Sequence, residues 1–233
     1  MKNSILPFIE DNDFEDACKI VISKLNEVSR NERNLYANVL DPFSAIFEAA
    51  YNNISLSEWQ KSEQRRQIQK SWQNSIGTFH QALIGHIADC EDLETGEVVD
   101  IKSQKLKLIA EVKNKWNTTK GNHKKNIYDD LDTLLKQPKY KGFTGYYVAI
   151  LTKHRIDKPF MPSDNASSKT RINEKIRIID GKTFYKLITG RDDALEMIYK
   201  ALVQFIYKIK PFDKEKILND KLFMEFFNQA TKK

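Results

Sequence analysis

Leu106-Lys107-Leu108-Ile109-Ala110-Glu111-Val112-Lys113-Asn114-Lys115 alternates in polarity with period two for most of its length, the pattern of a strand with one covered face. Side chains two apart on a strand project to one side. Glu111 and Lys113 therefore stand together, with Leu108, Ala110 and Val112 on the opposite, packed face. Just upstream, the short β-branched stretch Glu97 to Ile101 reads as a second strand, joined through a polar turn at Lys102-Ser103-Gln104. Asp100, at the end of that strand, can fold back beside Glu111 and Lys113.

Outward from this pair the texture is regular. Gly145 to Thr152 is a near-continuous apolar run, as expected of a strand covered on both faces. Lys175 to Ile179 reads as a further strand, ended by Asp180-Gly181, with a long polar loop from Lys153 to Glu174 before it. Helices surround these strands. Phe14, Cys18, Val21, Ile22 and Leu25 fall at helical spacing, and Asp41-Pro42 is an N-cap and first-turn pair. Ser57 with Gln60 resembles a capping box, ahead of a long helix striped by Trp72, Ile76, Phe79 and Leu83. Ile127, Leu131, Leu134 and Leu135 stripe another that stops at Pro138, and a short helix closes at Gly190. Two long apolar stripes, Leu195 to Ile206 and Ile217 to Phe227, end the chain as one helix each.

The expected fold class is α/β, a mixed central sheet flanked by helices with helical N- and C-terminal extensions. We expect one domain over 1–233: a mainly helical part to 90, the sheet core over 91–190, and helices from 191.

Composition sets the frame for function. The 233 residues carry 38 Lys and Arg against 32 Asp and Glu, a net charge of +6. That excess permits a polyanion partner without demanding one. Mean hydropathy is −0.58 and no apolar run approaches a membrane span. The first residues turn acidic too soon for a secretory signal, so a cytoplasmic location without membrane attachment is expected. Cys18 and Cys90 have no zinc spacing, and His80, His86, His123 and His154 have no ligand spacing. No glycine-rich phosphate loop, Ser-His-Asp arrangement or dinucleotide fingerprint occurs.

An acid, ten residues, then acid-x-lysine supplies what phosphodiester hydrolysis needs. Two hard carboxylates suit Mg²⁺, and an ammonium beside them can orient water and stabilise developing charge. Spacing alone leaves a solvated, charge-laced strand face equally open. Asp100-Ile101-Lys102 and Asp180-Gly181-Lys182 match acid-x-lysine too. Of the three, only Glu111-Val112-Lys113 lies mid-strand among apolar residues.

Ala110 to Gly121 (AEVKNKWNTTKG) resembles the signature of type II restriction endonucleases with a PD-(D/E)xK core, in the family that cuts GGNCC-type sites (AsuI specificity). The likeness extends upstream to Arg66-Gln67-Ile68-Gln69-Lys70, Gln73-Asn74, Gly77 and Phe79-His80-Gln81. Downstream it includes Ile179-Asp180-Gly181, Phe184-Tyr185, Thr189-Gly190 and Asp193-Ala194-Leu195. It implies a restriction-endonuclease-like fold, catalysis by Asp100, Glu111 and Lys113, and a Mg²⁺ site at Asp100, Glu111 and Val112. The proline that often precedes the first acid is replaced by Val99, which leaves Asp92, Glu94 and Glu97 as substitutes for Asp100.

The resemblance also implies double-stranded DNA as substrate, 5′-phosphate ends, a homodimer matching a palindromic site, and a companion DNA methyltransferase. Lys115, Asn117, Lys120, Asn122 and Lys124 are candidate DNA-backbone contacts, with an ordinary basic loop as the alternative, and Lys153, Arg155, Lys169 and Arg171 are candidate base readers, with a disordered surface loop equally open. Glu63, Gln73 and His80 on the long helix are candidates to support the site from behind, against a solvated helix face, which is the favoured reading of Glu63. Two rival functions fit the same residues. A repair or junction endonuclease would use the same core, and a non-catalytic DNA-binding protein would use only the basic loop.

Overall fold

Eight helices and six strands are found among the described residues, 5–30, 39–87, 89–93, 98–117, 119, 121–162 and 173–231 of a computed structural model. In chain order they are α1 (Asp11–Arg30), α2 (Pro42–Asn52), α3 (Leu56–Gly85), β1 (Cys90–Asp92), β2 (Ile101–Ser103), β3 (Leu108–Lys115) and α4 (Gly121–Leu135). A 3-10 turn at Pro138–Tyr140 precedes β4 (Thr144–Leu151), β5 (Asp157–Pro159), β6 (Ile176–Asp180), α5 (Gly181–Thr189), α6 (Ala194–Ile209), α7 (Lys214–Leu218) and α8 (Leu222–Ala230).

The strands form one six-stranded sheet in the order β1-β2-β3-β4-β6-β5. The three central strands β3, β4 and β6 run parallel, and antiparallel strands close both sides. This is the mixed sheet flanked by helices that the sequence predicts. β4 is its middle member, and Val148, Ala149 and Ile150 are almost wholly buried, which explains a continuous rather than alternating apolar run. On one face of the sheet Ile109, Tyr147 and Ile176 pack with Ile127, Tyr128, Leu131 and Leu134 of α4.

The chain divides into two compact units: Met1–Cys18 with His80–Lys233, which holds the sheet, and Lys19–Phe79. The second has its own small core of Ala45, Ala49 and Trp59.

Several elements differ from expectation, each for a local reason. β2 begins at Ile101 instead of ending there, so Lys102 and Ser103 are strand and the turn lies at 104–107. Ile101 and Ser103 are fully buried with Lys102 between them, one period of alternation and too short to read. The same brevity hides β1, and hides β5 inside the expected loop. The box at the head of α3 is Ser55–Glu58, not Ser57–Gln60: Ser55 N–H donates to Glu58 Oε2 (2.8 Å) and Glu58 N–H to Ser55 Oγ (3.2 Å). Trp72 is 39% exposed, off the buried stripe that holds Phe79 and Leu83. The last apolar stripe is two helices, because Asp220 Oδ1 accepts the Leu222 N–H (2.8 Å) and starts α8 afresh. Asp41 caps α2 as expected, accepting from Phe43 (3.0 Å) and Ser44 (3.2 Å).

Gly181 opens α5 against the backbone of β4. A β-carbon there would lie 2.5 Å from Ile150 O and 2.7 Å from its Cα, and main chain cannot swing aside. Gly181→Ala is expected to cost about 1–3 kcal/mol, read as a lower urea midpoint. An unchanged midpoint would mean that α5 lifts from β4 freely.

Candidate active site

β3 carries the acid and the amine. Its even-numbered residues Leu108, Ala110 and Val112 are buried, while Glu111 and Lys113 share the other face. β2 pairs with β3 only as far as Ile101–Ala110. Beyond that point Asp100 replaces the missing strand: its Oδ2 accepts the Val112 N–H at 2.6 Å. Its own backbone oxygen accepts from Leu93 N (2.9 Å), so the residue is held at both ends. The carbonyl of Val112 lies on the same strand edge as its N–H, toward Asp100.

The three side chains converge. Lys113 Nζ is 2.6 Å from Glu111 Oε1 and 4.0 Å from Asp100 Oδ2. They remain reachable, with side chains 22% (Asp100), 14% (Glu111) and 28% (Lys113) exposed. Burial pushes the Glu111 carboxyl up, the neighbouring Asp100 charge adds to it, and Lys113 pulls it back only in part. Burial pulls Lys113 down, but the Glu111 hydrogen bond and the charges of both acids outweigh it and hold the amine protonated. In that form Lys113 can donate charge and hydrogen bonds.

This arrangement of acids and lysine sits in a chain that the sequence profile described as Eco47II restriction endonuclease matches over residues 6–210. The chain belongs to that family. Type II restriction enzyme Eco47II of Escherichia coli is 37% identical over 231 residues, covering 97% of this chain and 93% of the relative. Type II restriction enzyme Sau96I of Staphylococcus aureus is 30% identical over 239 residues, covering 99% and 91%. Membership of the Eco47II family makes this chain an endonuclease of the restriction type, a site-specific deoxyribonuclease, and its mixed sheet fits a restriction-endonuclease-like α/β fold.

The remaining candidates of this Eco47II-family chain fall into groups. Lys115 ends β3 on the Glu111 side, and Asn117, Asn122, Lys124 and Lys125 follow it along the chain, with Lys124 Nζ 5.8 Å above the Trp116 ring. The first turn of α4 has no acid, so its positive end is uncompensated. Lys153 is exposed beyond β4. Arg155 is exposed, with its guanidinium 3.4 Å from the buried Asp180 carboxylate and donating to Thr183 Oγ1 (2.8 Å). Lys120, Lys169 and Arg171 lie outside the described residues, as do Glu94 and Glu97. Asp92 is in β1, two strands from β3, with its Cβ where a Gly85 side chain would be.

Glu63 and Gln73 belong to the Lys19–Phe79 unit. Glu63 is buried and bonded by Arg66 (2.6 and 2.8 Å) and Gln67 (3.0 Å), while Gln73 is exposed. His80 is buried, its Nδ1 3.0 Å from Tyr185 Oη. Burial lowers its pKa from 6.5 to about 4. A depressed folded pKa means the fold keeps its full stability above pH 6.5 and loses it as pH falls toward 4, about 3 kcal/mol in total. His80→Gln is expected to flatten that slope in urea melts at successive pH values. An equal acid loss in the variant would assign the slope to other groups.

Tyr147 escaped the sequence reading because it lies within an apolar run. Its register partner on β3 is Glu111, its ring is buried, and its hydroxyl donates to Thr119 Oγ1 (3.1 Å). Burial raises its pKa, while the Thr119 bond and the Lys113 charge draw it back. Only the β3–β4 register could have singled it out.

Proposed function

We propose that this chain is a magnesium-dependent type II endonuclease of the PD-(D/E)xK kind, hydrolysing both strands of DNA at a GGNCC-type site. The observation that carries the reading is the meeting of Asp100, Glu111 and Lys113 on the open edge of β3. The donor set fits a hard divalent cation. Two carboxylates and the Val112 carbonyl edge face one place, and burial together with the Asp100 charge holds the Glu111 carboxyl above its ordinary range, which a bound cation would relieve. Among the described residues no group of three or more His, Cys, Asp or Glu could hold a metal.

Mg²⁺, when bound, polarises the phosphate and lowers the pKa of a coordinated water. Asp100 and Glu111 would hold the ion, and the Asp100–Val112 bond keeps the first acid from swinging away. Lys113, protonated, orients the attacking water and offsets charge growing on the phosphate. Lys115, Asn117, Asn122 and Lys124 follow on the same stretch of chain and bind the backbone of the duplex. The products are a 5′-phosphate and a 3′-hydroxyl. A palindromic site is met by a homodimer, one centre per strand, and a companion methyltransferase protects the host's own sites. The location is cytoplasmic; no described helix is long and apolar enough to cross a membrane.

Plasmid DNA digested with and without Mg²⁺, followed by sequencing of the ends, tests the whole reading. Discrete methylation-sensitive fragments with 5′-phosphates at GGNCC are expected. Cutting only at nicks or junctions, or metal-independent binding without cleavage, would overturn it.

A further inference from the structure

α2 is capped at both ends, and its buried residues Ala45 and Ala49 pack with Trp59 among the described residues. Its outward face is apolar. Phe43 is 74% exposed, Ile46 61%, Phe47 77% and Tyr51 90%, and their spacing of three, four and eight residues makes one continuous stripe. Glu48 is the single charged residue of the helix, and it is turned to the Trp59 indole N–H (2.9 Å). Apolar side chains this large and this open, with no lysine or acid among them, are unusual on a surface that faces water. The C-terminal helices also expose Phe226 (62%) and, less completely, Ile206, Tyr207 and Ile217, with Lys214 4.8 Å over the Tyr207 ring.

We propose that the α2 stripe is the interface at which two copies of this chain pair. The three aromatics and Ile46 offer roughly 600 Å² per copy, so the pair would bury about 1,200 Å², the lower bound for a specific association. The helix is nearly symmetric about its middle residue. Two copies packed antiparallel set Phe47 against Phe47 on the twofold axis and Phe43 against Tyr51 at each end, an isologous contact. A second copy is the occupant because the described residues of one chain hold a single acid–lysine centre, whereas cutting both strands takes two. That clause rests on the function proposed above.

The mass of the full chain is read by sedimentation without DNA or metal. Twice 27.2 kDa is expected at micromolar concentration. Phe47→Glu places two like charges at the axis and is expected to sediment as a monomer with an unchanged circular dichroism spectrum. Phe47→Cys provides a test that survives a folding defect in the first variant: it is expected to form a covalent dimer under mild oxidation, reversed by reductant. Cys18 and Cys90 are buried and do not compete. Ser57→Cys, exposed and off the stripe, is the control and is expected to stay single. A wild-type monomer, a Phe47→Glu dimer, or a Phe47→Cys chain that cross-links no better than the control overturns the proposal. None of these outcomes touches Asp100, Glu111 or Lys113, so their failure and a failure to cleave DNA are separate results.

Discussion

Lys113→Ala is expected to lower the rate of DNA cleavage about a thousandfold while leaving specific DNA binding nearly unchanged. The magnitude follows from what the amine does. Its hydrogen bond and charge hold it protonated against the pull of burial, so it acts on charge that appears only in the transition state. Removing it also leaves Glu111 and Asp100 facing one another without a cation of the chain's own. Electrophoretic shift in the presence of Ca²⁺ reads the binding, and single-turnover cleavage with Mg²⁺ reads the rate. Cleavage at the wild-type rate would remove Lys113 from the mechanism, and loss of binding in proportion to rate would make it a contact for DNA instead.

Asp100→Asn is the second large expected effect, again about a thousandfold in rate, the equivalent of roughly 4 kcal/mol of charge stabilisation. The substitution is chosen because the amide oxygen still accepts the Val112 N–H, so the edge of β3 keeps its shape while one negative charge goes. Asp92→Asn is the matched control and is expected to stay within about threefold of wild type, since Asp92 sits in β1, two strands away. If Asp92→Asn silenced the enzyme and Asp100→Asn did not, the first acid would be Asp92. If both variants cut normally, the two-carboxylate centre would be wrong.

The parts of the fold legible in the chain were those with several periods of pattern. β3 and β4 repeat long enough to distinguish a strand with one polar face from one covered on both sides. Asp41-Pro42 announces α2 because cap and first turn are adjacent residues. Three-residue strands such as β1, β2 and β5 carry no readable period, and their existence depends on a neighbouring strand offering backbone partners. The Ser55–Glu58 box was missed for a related reason, since Ser57 and Gln60 offer the same chemistry two residues on and only the helix start decides between them.

Alternation along a single strand was enough to put Glu111 and Lys113 side by side, and the order of polar and apolar runs was enough to predict a mixed sheet wrapped in helices. Both are consequences of local geometry, in which the spacing of side chains is set by the backbone. Which acid joins them was decided in three dimensions: β2 stops short, and the Asp100 carboxylate takes the hydrogen bond a strand would have taken. The same level set Arg155 beside Asp180, enclosed His80 with Tyr185, and left the α2 aromatics in the open. A side chain's partner is chosen by whatever the folded chain brings within reach, and residues twelve or a hundred positions apart have no spacing rule to announce their meeting.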